Sequence, residues 1–280
     1  MDFPMIARRD ADPGKYWSSL YKAVWKVIKQ KKAVLDREFQ YSLEPQGYPP
    51  IDVHEVVAAR FGRRNTFRSI PKLVPQLNQT LTFWVVPGQY SADTATHEEI
   101  IQNKINLYVQ LGQIRANLGH ALVEMIEQAA KQTDLTCSTK LTEVRDWNGK
   151  KLSTSEGAID VVLISLPHQA VYGIEAKNLA QIIEASYVTR RLIKHISNCN
   201  TLGMKPVFIV SRIFPTAAKK LTEQGALVIE TQAQFYQKRY WALAKNLKQS
   251  LGYHFVRRVG HRKLVDKLSQ KLSAALVPQQ

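Results

Sequence analysis

The fold is decided by AIDVVLIS at residues 158–165 and AVYGIEAKN at residues 170–178. Both stretches are rich in β-branched residues, and a short turn separates them, which predicts two strands joined as a hairpin. Side chains two positions apart on a strand point to the same face, so Glu175 and Lys177 are expected to project together. If the hairpin closes with the usual pairing, Asp160 lies alongside them. Charged groups in such apolar strands are costly to bury unless they are paired or bind a metal.

The sequence around these strands predicts a layered α/β core. Apolar side chains recur at helical spacing over residues 117–131, and LTCSTKLTEV at residues 135–144 has the β-branched content of a strand. That strand ends at an Asn-Gly hairpin signal at residues 148–149. A second helix is predicted over about 179–201, followed by a buried strand at residues 202–211. The order of helix, three strands, helix and strand predicts a mixed β-sheet with helices packed against it.

Three regions are predicted along the chain, and the first of them, residues 1–100, is an N-terminal accessory domain. Apolar residues recur at helical spacing over residues 16–34, and LTFWVVP at residues 81–87 is typical of a strand. A polar connection after this strand places the first boundary near residue 100. Residues 101–235 then form the α/β core, and residues 236–280 form a basic, helical C-terminal extension.

The charge balance favours a polyanionic partner. The chain has 39 Lys and Arg residues against 23 Asp and Glu residues, a formal net charge of +16. A field of this sign attracts phosphate backbones, so nucleic acid is the favoured partner, and a solubilising surface is the alternative. There are only two cysteines, no apolar run of membrane-spanning length and no apolar N-terminal stretch of signal-peptide length. We therefore expect a cytoplasmic protein without a disulfide framework and without a membrane partner.

The three charged residues of the central strands suit metal-dependent chemistry. Carboxylates such as those of Asp160 and Glu175 are ligands that Mg²⁺ prefers in proteins. A lysine beside them, here Lys177, can orient or deprotonate a water and neutralise charge that develops on a phosphate. The alternative is a plain cross-strand ion pair between Glu175 and Lys177 on an open face, which would contribute little.

These features resemble the restriction-endonuclease-like nuclease superfamily, whose signature is an Asp followed later by (Asp/Glu)-x-Lys. The superfamily includes type II restriction enzymes and archaeal Holliday-junction resolvases, and the resemblance covers residues 110–230. It implies a core of order αβββαβ, with Asp160 and Glu175 as metal ligands and Lys177 as a catalytic residue. It also implies a helical glutamate ahead of the sheet. Glu124 is the natural match, and Glu127, one turn further on, is the alternative. One departure from the pattern is the isoleucine, not a proline, that precedes Asp160.

The resemblance implies that the protein is an endonuclease that hydrolyses DNA phosphodiester bonds with one or two Mg²⁺ ions, which Mn²⁺ can replace. The expected setting is bacterial defence, restriction, recombination or a mobile element, in a nucleoid-associated cytoplasmic protein. A homodimer would let two sites cut two strands, and partner proteins of a larger nucleic-acid-processing complex are a further expectation. Two alternatives stay open: a non-catalytic DNA-binding or assembly protein on the same fold, and an RNA-directed nuclease.

Two basic regions are predicted to hold the DNA. The first lies in the helix that follows the active strands, and the second lies in the C-terminal stretch, where aromatic residues are interleaved with basic ones. The predicted phosphate-binding residues are Arg190, Arg191, Lys194, Arg257, Arg258, Arg262 and Lys263. The alternative for the second region is a basic helix with an aromatic core face. His195 is predicted to be a surface or packing residue because it has no partners at metal-ligand spacing.

Overall fold

The computed structural model describes residues 4–137, 144–153, 157–180 and 182–277. Five side chains within these ranges fall outside the description: Pro4, Ile6, Ala116, Arg190 and Arg191. The protein belongs to the mixed α/β class, as predicted. Among the residues that the structure describes, every helix is too short or too polar to cross a membrane.

The chain forms two compact units, each built from two segments. The N-terminal unit comprises Asp2–Ile114 with Ala242–His254, and the core unit comprises Arg115–Trp241 with Phe255–Gln280. The boundary that the sequence places near residue 100 falls inside a helix, Thr94–Gln113, because this helix runs on through the polar segment. The stretch 236–280 is divided between the two units.

The N-terminal unit combines helices with a three-stranded antiparallel sheet. Its elements up to Ile114 are α1 (Pro4–Ala11), α2 (Pro13–Lys31), β1 (Ala33–Leu35), α3 (Asp36–Leu43), α4 (Pro50–His54), which continues as a π-helix (Glu55–Gly62), β2 (Arg68–Val74), β3 (Gln79–Val85), α5 (Pro87–Ala92) and α6 (Thr94–Gln113). The strand order is β1-β3-β2. Asp12 caps α2 by accepting a 2.9 Å hydrogen bond from the Lys15 N–H, and the apolar face of this helix lies in the core of the unit.

A buried ion cluster joins three elements of this unit. Glu38 on α3 is 1% exposed and accepts hydrogen bonds from Lys31 Nζ at 2.6 Å and Lys104 Nζ at 2.7 Å. It also accepts one from the Leu35 N–H at 3.1 Å. Lys104 in turn donates to the Ala33 carbonyl at 2.5 Å. We call Glu38, Lys31 and Lys104 the Glu38 cluster. Each of its charges faces an opposite charge, as burial requires.

The core unit contains a five-stranded mixed sheet with helices on both faces. Its elements, with α11 running into the N-terminal unit, are α7 (Arg115–Ala130), β4 (Leu135–Cys137), β5 (Asp146–Trp147), β6 (Lys150–Lys151), β7 (Val161–Ser165), β8 (Ala170–Lys177), α8 (Ala185–Tyr187), a π-helical turn (Val188–Leu192), α9 (Ile193–Leu202), β9 (Lys205–Val210), α10 (Pro215–Thr222), β10 (Leu227–Glu230), β11 (Gln234–Tyr236), α11 (Trp241–Leu251), β12 (Val256–Arg258) and α12 (Arg262–Leu276). The strand order is β10-β9-β8-β7-β4. The β4/β7 and β7/β8 pairs are antiparallel, whereas β8/β9 and β9/β10 are parallel.

The strands β7, β8 and β9 lie where the sequence predicts them, because their apolar runs are largely buried on both faces of the sheet. Two other predictions differ from the structure. The Asn-Gly turn at residues 148–149 joins the short ribbon β5/β6, whereas β4 pairs directly with β7. The helix predicted from residue 179 begins at Ala185, because Ile183 forms a parallel bridge with Ile213 instead.

Candidate functional site

Asp160 is positioned by the antiparallel pairing of β7 and β8. Val161 is opposite Ile174, so the residue before β7 faces the last part of β8. The Asp160 N–H donates to the Ile174 carbonyl at 3.1 Å, and Asp160 Oδ2 accepts from the Ala176 N–H at 2.8 Å. Both backbone contacts hold the carboxyl group beside Glu175, as the hairpin pattern predicts.

The charged side chains of β8 lie on one face of the sheet. Tyr172, Ile174 and Ala176 are buried in the hydrophobic cluster that α7 and α12 form on the opposite face. Because side chains alternate along a strand, Glu175 and Lys177 project from the face that α9 covers. Lys177 Nζ forms an ion pair with Glu175 Oε1.

His195 on α9 completes this group, although the sequence gives it no functional role. Its side chain is buried, with the residue 4% exposed, and Nδ1 lies 3.5 Å from Glu175 Oε2. On the other side of the ring, Nε2 lies 3.1 Å from the Gly173 carbonyl oxygen. A Cβ at Gly173 would lie 2.6 Å from Cys199 Sγ, so the glycine allows α9 to approach β8 this closely. A glycine in the middle of an apolar strand is the one sequence signal that could have pointed to this contact.

We call Asp160, Glu175, Lys177 and His195 the Asp160 cluster. Burial raises the pKa of Asp160 to about 6, and the neighbouring charge of Glu175 acts in the same direction. Burial lowers the pKa of Lys177, but the two carboxylates raise it by more, so its pKa lies above the usual lysine value. Burial lowers the pKa of His195 to about 4. At neutral pH Asp160 is therefore mostly ionised, Lys177 is protonated and the imidazole of His195 is neutral.

The side-chain types of this cluster suit a divalent cation. Two carboxylates against one ammonium group leave an excess of one negative charge in a largely buried place. His195 Nδ1 is buried and has no hydrogen-bond partner among the described residues. Carboxylate oxygens with an imidazole nitrogen are common ligands of divalent metals. A preformed group of three or more metal-ligating side chains is not found in the part of the chain that the structure describes.

Glu124 lies apart from this cluster. Its helix, α7, packs on the face of the sheet that bears Ile174 and Ala176. Its carboxylate accepts hydrogen bonds from Gln128 at 3.4 Å and Gln237 at 3.5 Å. Within the described ranges, no hydrogen bond or ion pair joins Glu124 to the Asp160 cluster. The structure thus brings three of the four predicted catalytic residues together and leaves Glu124 with amide partners.

Asn178, directly after Lys177, holds the end of β8 in place. Its Nδ2 donates to the carbonyls of Leu118 at 2.6 Å and Phe235 at 2.8 Å, and its Oδ1 accepts from the Phe235 N–H at 2.8 Å. It does not cap the next helix, which begins seven positions later, at Ala185. Asn178 instead fastens the strand to α7 and β11, which fixes where Lys177 leaves the sheet.

The predicted phosphate-binding residues fall into three groups. Arg190 and Arg191 lie outside the described side chains. Lys194 is exposed on α9, the helix that carries His195. Of the C-terminal residues, Arg257 is partly buried and donates to the Val256 carbonyl, and the others are exposed: Arg258, Arg262 and Lys263.

The aromatic residues of the C-terminal stretch belong mainly to the interior. Tyr236, Tyr253 and Phe255 are buried. They therefore cannot stack on nucleic-acid bases, and the alternative of an aromatic core face applies to them.

Comparison of the chain with models of known protein families, with curated proteins and with solved structures finds no match.

Proposed function

We propose that the protein is a metal-dependent nuclease that hydrolyses DNA phosphodiester bonds at the Asp160 cluster. The observation that carries the proposal is the meeting of Asp160, Glu175 and Lys177 on one face of two neighbouring strands. These are the residue types, in the chain order, on which the resemblance to the restriction-endonuclease-like superfamily rests. The order α7, β4, β7, β8, α9, β9, with the short ribbon β5/β6 inserted, supports assignment of the αβββαβ core to this unit.

Asp160 and Glu175 are the residues that would hold the metal. Asp160 Oδ2 is engaged by the Ala176 N–H, so Oδ1 is the oxygen left for a cation. Glu175 offers Oε2, since Oε1 pairs with Lys177. A divalent ion bound there, Mg²⁺ or Mn²⁺, supplies activation of water and stabilisation of charge on the phosphoryl oxygens.

Lys177 acts as a cation and not as a base in this proposal. Its pKa lies above the usual lysine value, so it remains protonated at neutral pH. A protonated amine cannot take a proton from water, but it can donate hydrogen bonds and neutralise negative charge on the phosphate in the transition state. Its contact with Glu175, and the clamp at the neighbouring Asn178, hold it at the strand end.

DNA is the proposed substrate because of the net charge of +16 and the exposed basic residues at the start of α12. Phosphate contacts of this kind bind duplex DNA without regard to sequence. The buried C-terminal aromatic residues give no support to base stacking, which an RNA-directed nuclease would be expected to use.

The proposal is tested with the purified full chain on supercoiled, linear, branched and single-stranded DNA, and on RNA, in Mg²⁺, Mn²⁺ or EDTA. We expect metal-dependent cutting of at least one DNA substrate, and none by Asp160→Asn. The matched control is Asp146→Asn, which changes an exposed aspartate of the same unit and should cut like the wild type. Cutting in EDTA, or equal cutting by Asp160→Asn, contradicts the proposal. Cutting of RNA alone would favour the RNA-directed alternative, and metal-independent DNA binding without cutting would favour a binding protein.

A further inference from the structure

Nδ1 of His195 faces Glu175, and this ring nitrogen has no hydrogen-bond partner among the residues that the structure describes. Nδ1 lies 3.5 Å from Glu175 Oε2, beyond hydrogen-bond distance, and it is buried. An unsatisfied polar atom in a protein interior costs free energy, and such atoms are uncommon enough to need an explanation.

The other nitrogen of the ring determines which tautomer is present. Nε2 lies 3.1 Å from the carbonyl oxygen of Gly173, which can only accept a hydrogen bond. Nε2 also lies 3.3 Å from Cys199 Sγ, and a thiol can accept a hydrogen bond as well as donate one. A hydrogen on Nε2 satisfies the contact with the carbonyl, and a neutral ring in this tautomer has its lone pair on Nδ1. The lone pair then points towards a carboxylate oxygen, so that two acceptors face each other across 3.5 Å. A cation that binds both atoms removes this repulsion.

The surroundings of the ring match those of a metal-ligating histidine. Such a histidine donates its second N–H to a backbone carbonyl or a carboxylate, which fixes the ring orientation. The Gly173 carbonyl has this role for His195. The ring also packs edge-on against Phe208, with centroids 5.0 Å apart. Ligand atoms bind metals such as zinc at about 2.1 Å, so two atoms 3.5 Å apart can both reach one ion.

We propose that His195 Nδ1 is a third side-chain ligand, with Asp160 and Glu175, of the divalent ion at this site. The inference rests on the proposed function for the presence of a metal, and it adds the identity of a ligand from α9. An imidazole ligand favours Mn²⁺, Co²⁺ or Zn²⁺ over Mg²⁺, which prefers oxygen donors. The site should therefore discriminate more strongly against Mg²⁺ than a site with two carboxylate ligands alone.

The test is the binding of Mn²⁺ and Mg²⁺ to the metal-free full chain, measured by calorimetry, with electron spin-echo spectroscopy on the Mn²⁺-loaded protein. His195→Gln is the informative variant, because its amide can still donate to the Gly173 carbonyl while the nitrogen facing Glu175 is removed. His97→Gln is the matched control. His97 is also buried with an unpartnered ring nitrogen, but its other nitrogen lies 2.6 Å from the Asp93 carbonyl in the N-terminal unit.

We expect the wild-type Mn²⁺ signal to show coupling to an imidazole nitrogen, and His195→Gln to lack it. Affinity for Mn²⁺ should fall at least about tenfold in His195→Gln, with a smaller fall for Mg²⁺, whereas His97→Gln should match the wild type. If wild type and His195→Gln bind Mn²⁺ equally, without nitrogen coupling, His195 is not a ligand. If the wild type binds no metal, or Asp160→Asn binds as tightly as the wild type, the metal site of the proposed function fails as well. Should His195→Gln not fold, the nitrogen coupling in the wild type alone decides the question.

Discussion

Glu38 and Glu175 are both largely buried glutamates that contact a lysine, yet their surroundings differ. Glu38 meets two ammonium groups and a backbone N–H, and its cluster has one cation more than it has carboxylates. Glu175 meets one ammonium group, a second carboxylate and an imidazole nitrogen, and its cluster has one carboxylate more than it has cations. The first cluster joins three elements of the N-terminal unit, whereas the second gathers at the start of β7 and the end of β8, with His195 contributed by α9.

The difference separates a structural role from a functional one. Where every buried charge has a partner of opposite charge, a role in the fold explains the arrangement, and no ligand is needed. Where like charges are held together and a ring nitrogen has no hydrogen-bond partner among the described residues, the fold tolerates a cost in free energy that a ligand can remove. On this basis we expect substitutions in the Glu38 cluster to change stability, and substitutions in the Asp160 cluster to change chemistry.

The largest effect is expected from Glu38→Gln. This change leaves Lys104 buried without an opposite charge, and breaking a buried pair in this way costs about 3–5 kcal/mol of unfolding free energy. Glu175→Gln removes one of two mutually repelling carboxylates and should cost less than about 1 kcal/mol. Urea unfolding followed by tryptophan fluorescence compares the two variants. Similar decreases in both would mean that the two clusters do not differ in kind.

Lys177→Met should lower the cleavage rate about a hundredfold, an effect of about 2.7 kcal/mol on the barrier. Metal affinity should not weaken, since an ammonium group offers no lone pair to a cation. Single-turnover cleavage and calorimetry on the same preparation measure the two quantities. Lys151→Met, which changes an exposed lysine of the same unit, is the control. Normal cleavage by Lys177→Met, or loss of metal binding as its main defect, would contradict the assigned role.

As pH rises from 4 to 7, the unfolding free energy of the wild type should fall relative to that of Asp160→Asn by roughly 2–3 kcal/mol at most. The pKa of Asp160 is about 6 in the folded protein and about 3.9 in an unfolded chain. The folded state thus binds more protons between these values, and the wild-type unfolding free energy falls as pH rises from 4 through 6. Asparagine does not titrate, so Asp160→Asn lacks this decrease and gains stability over wild type towards pH 7. Parallel curves in EDTA from pH 4 to pH 8 would show that Asp160 is not perturbed.

The smallest effect on stability and cleavage, the properties that the two clusters control, is expected from changing four basic residues together to Gln: Arg257, Arg258, Arg262 and Lys263. Folding and cleavage at saturating protein should be unchanged. The slope of log affinity for duplex DNA against log salt should shrink by roughly two to four units, about 0.9 for each phosphate group that the variant no longer neutralises. Fluorescence anisotropy on unrelated sequences gives the slope. The same slope in the folded quadruple variant would show that this basic surface does not contact phosphate.

The sequence is sufficient to predict the strands that carry the site, because their apolar runs are local. Asp160 and Glu175 also come together as predicted, since an antiparallel hairpin fixes which residues lie opposite each other. The role of His195 depends on how closely α9 approaches Gly173, 22 positions earlier in the chain. No spacing rule encodes such a packing distance.

For Glu124 the structure shows no contact with the Asp160 cluster among the described residues, so its role stays a prediction. It has the expected residue type on the expected helix, but the rotation of α7 directs its apolar side chains to one face of the sheet while the site lies on the other. The C-terminal aromatic residues show a similar limit. Composition places Tyr236 and Tyr253 among basic residues, and only the tertiary structure shows that they are buried in two different units.

The segment Ala242–His254 has a consequence for biosynthesis, because it completes a unit that begins near the N-terminus. Tyr253 packs against Tyr41 with ring centroids 4.4 Å apart, and its hydroxyl lies 3.4 Å from that of Tyr108. A ribosome that has made Ile114 must add about 140 residues before His254 is made, which takes roughly 7 to 28 s at ordinary translation rates. During that interval the core-unit strands emerge, while Tyr41 and Tyr108 still lack their partner. The unit that is started first is therefore completed late, and a fragment that stops at Ile114 would lack part of its own interior.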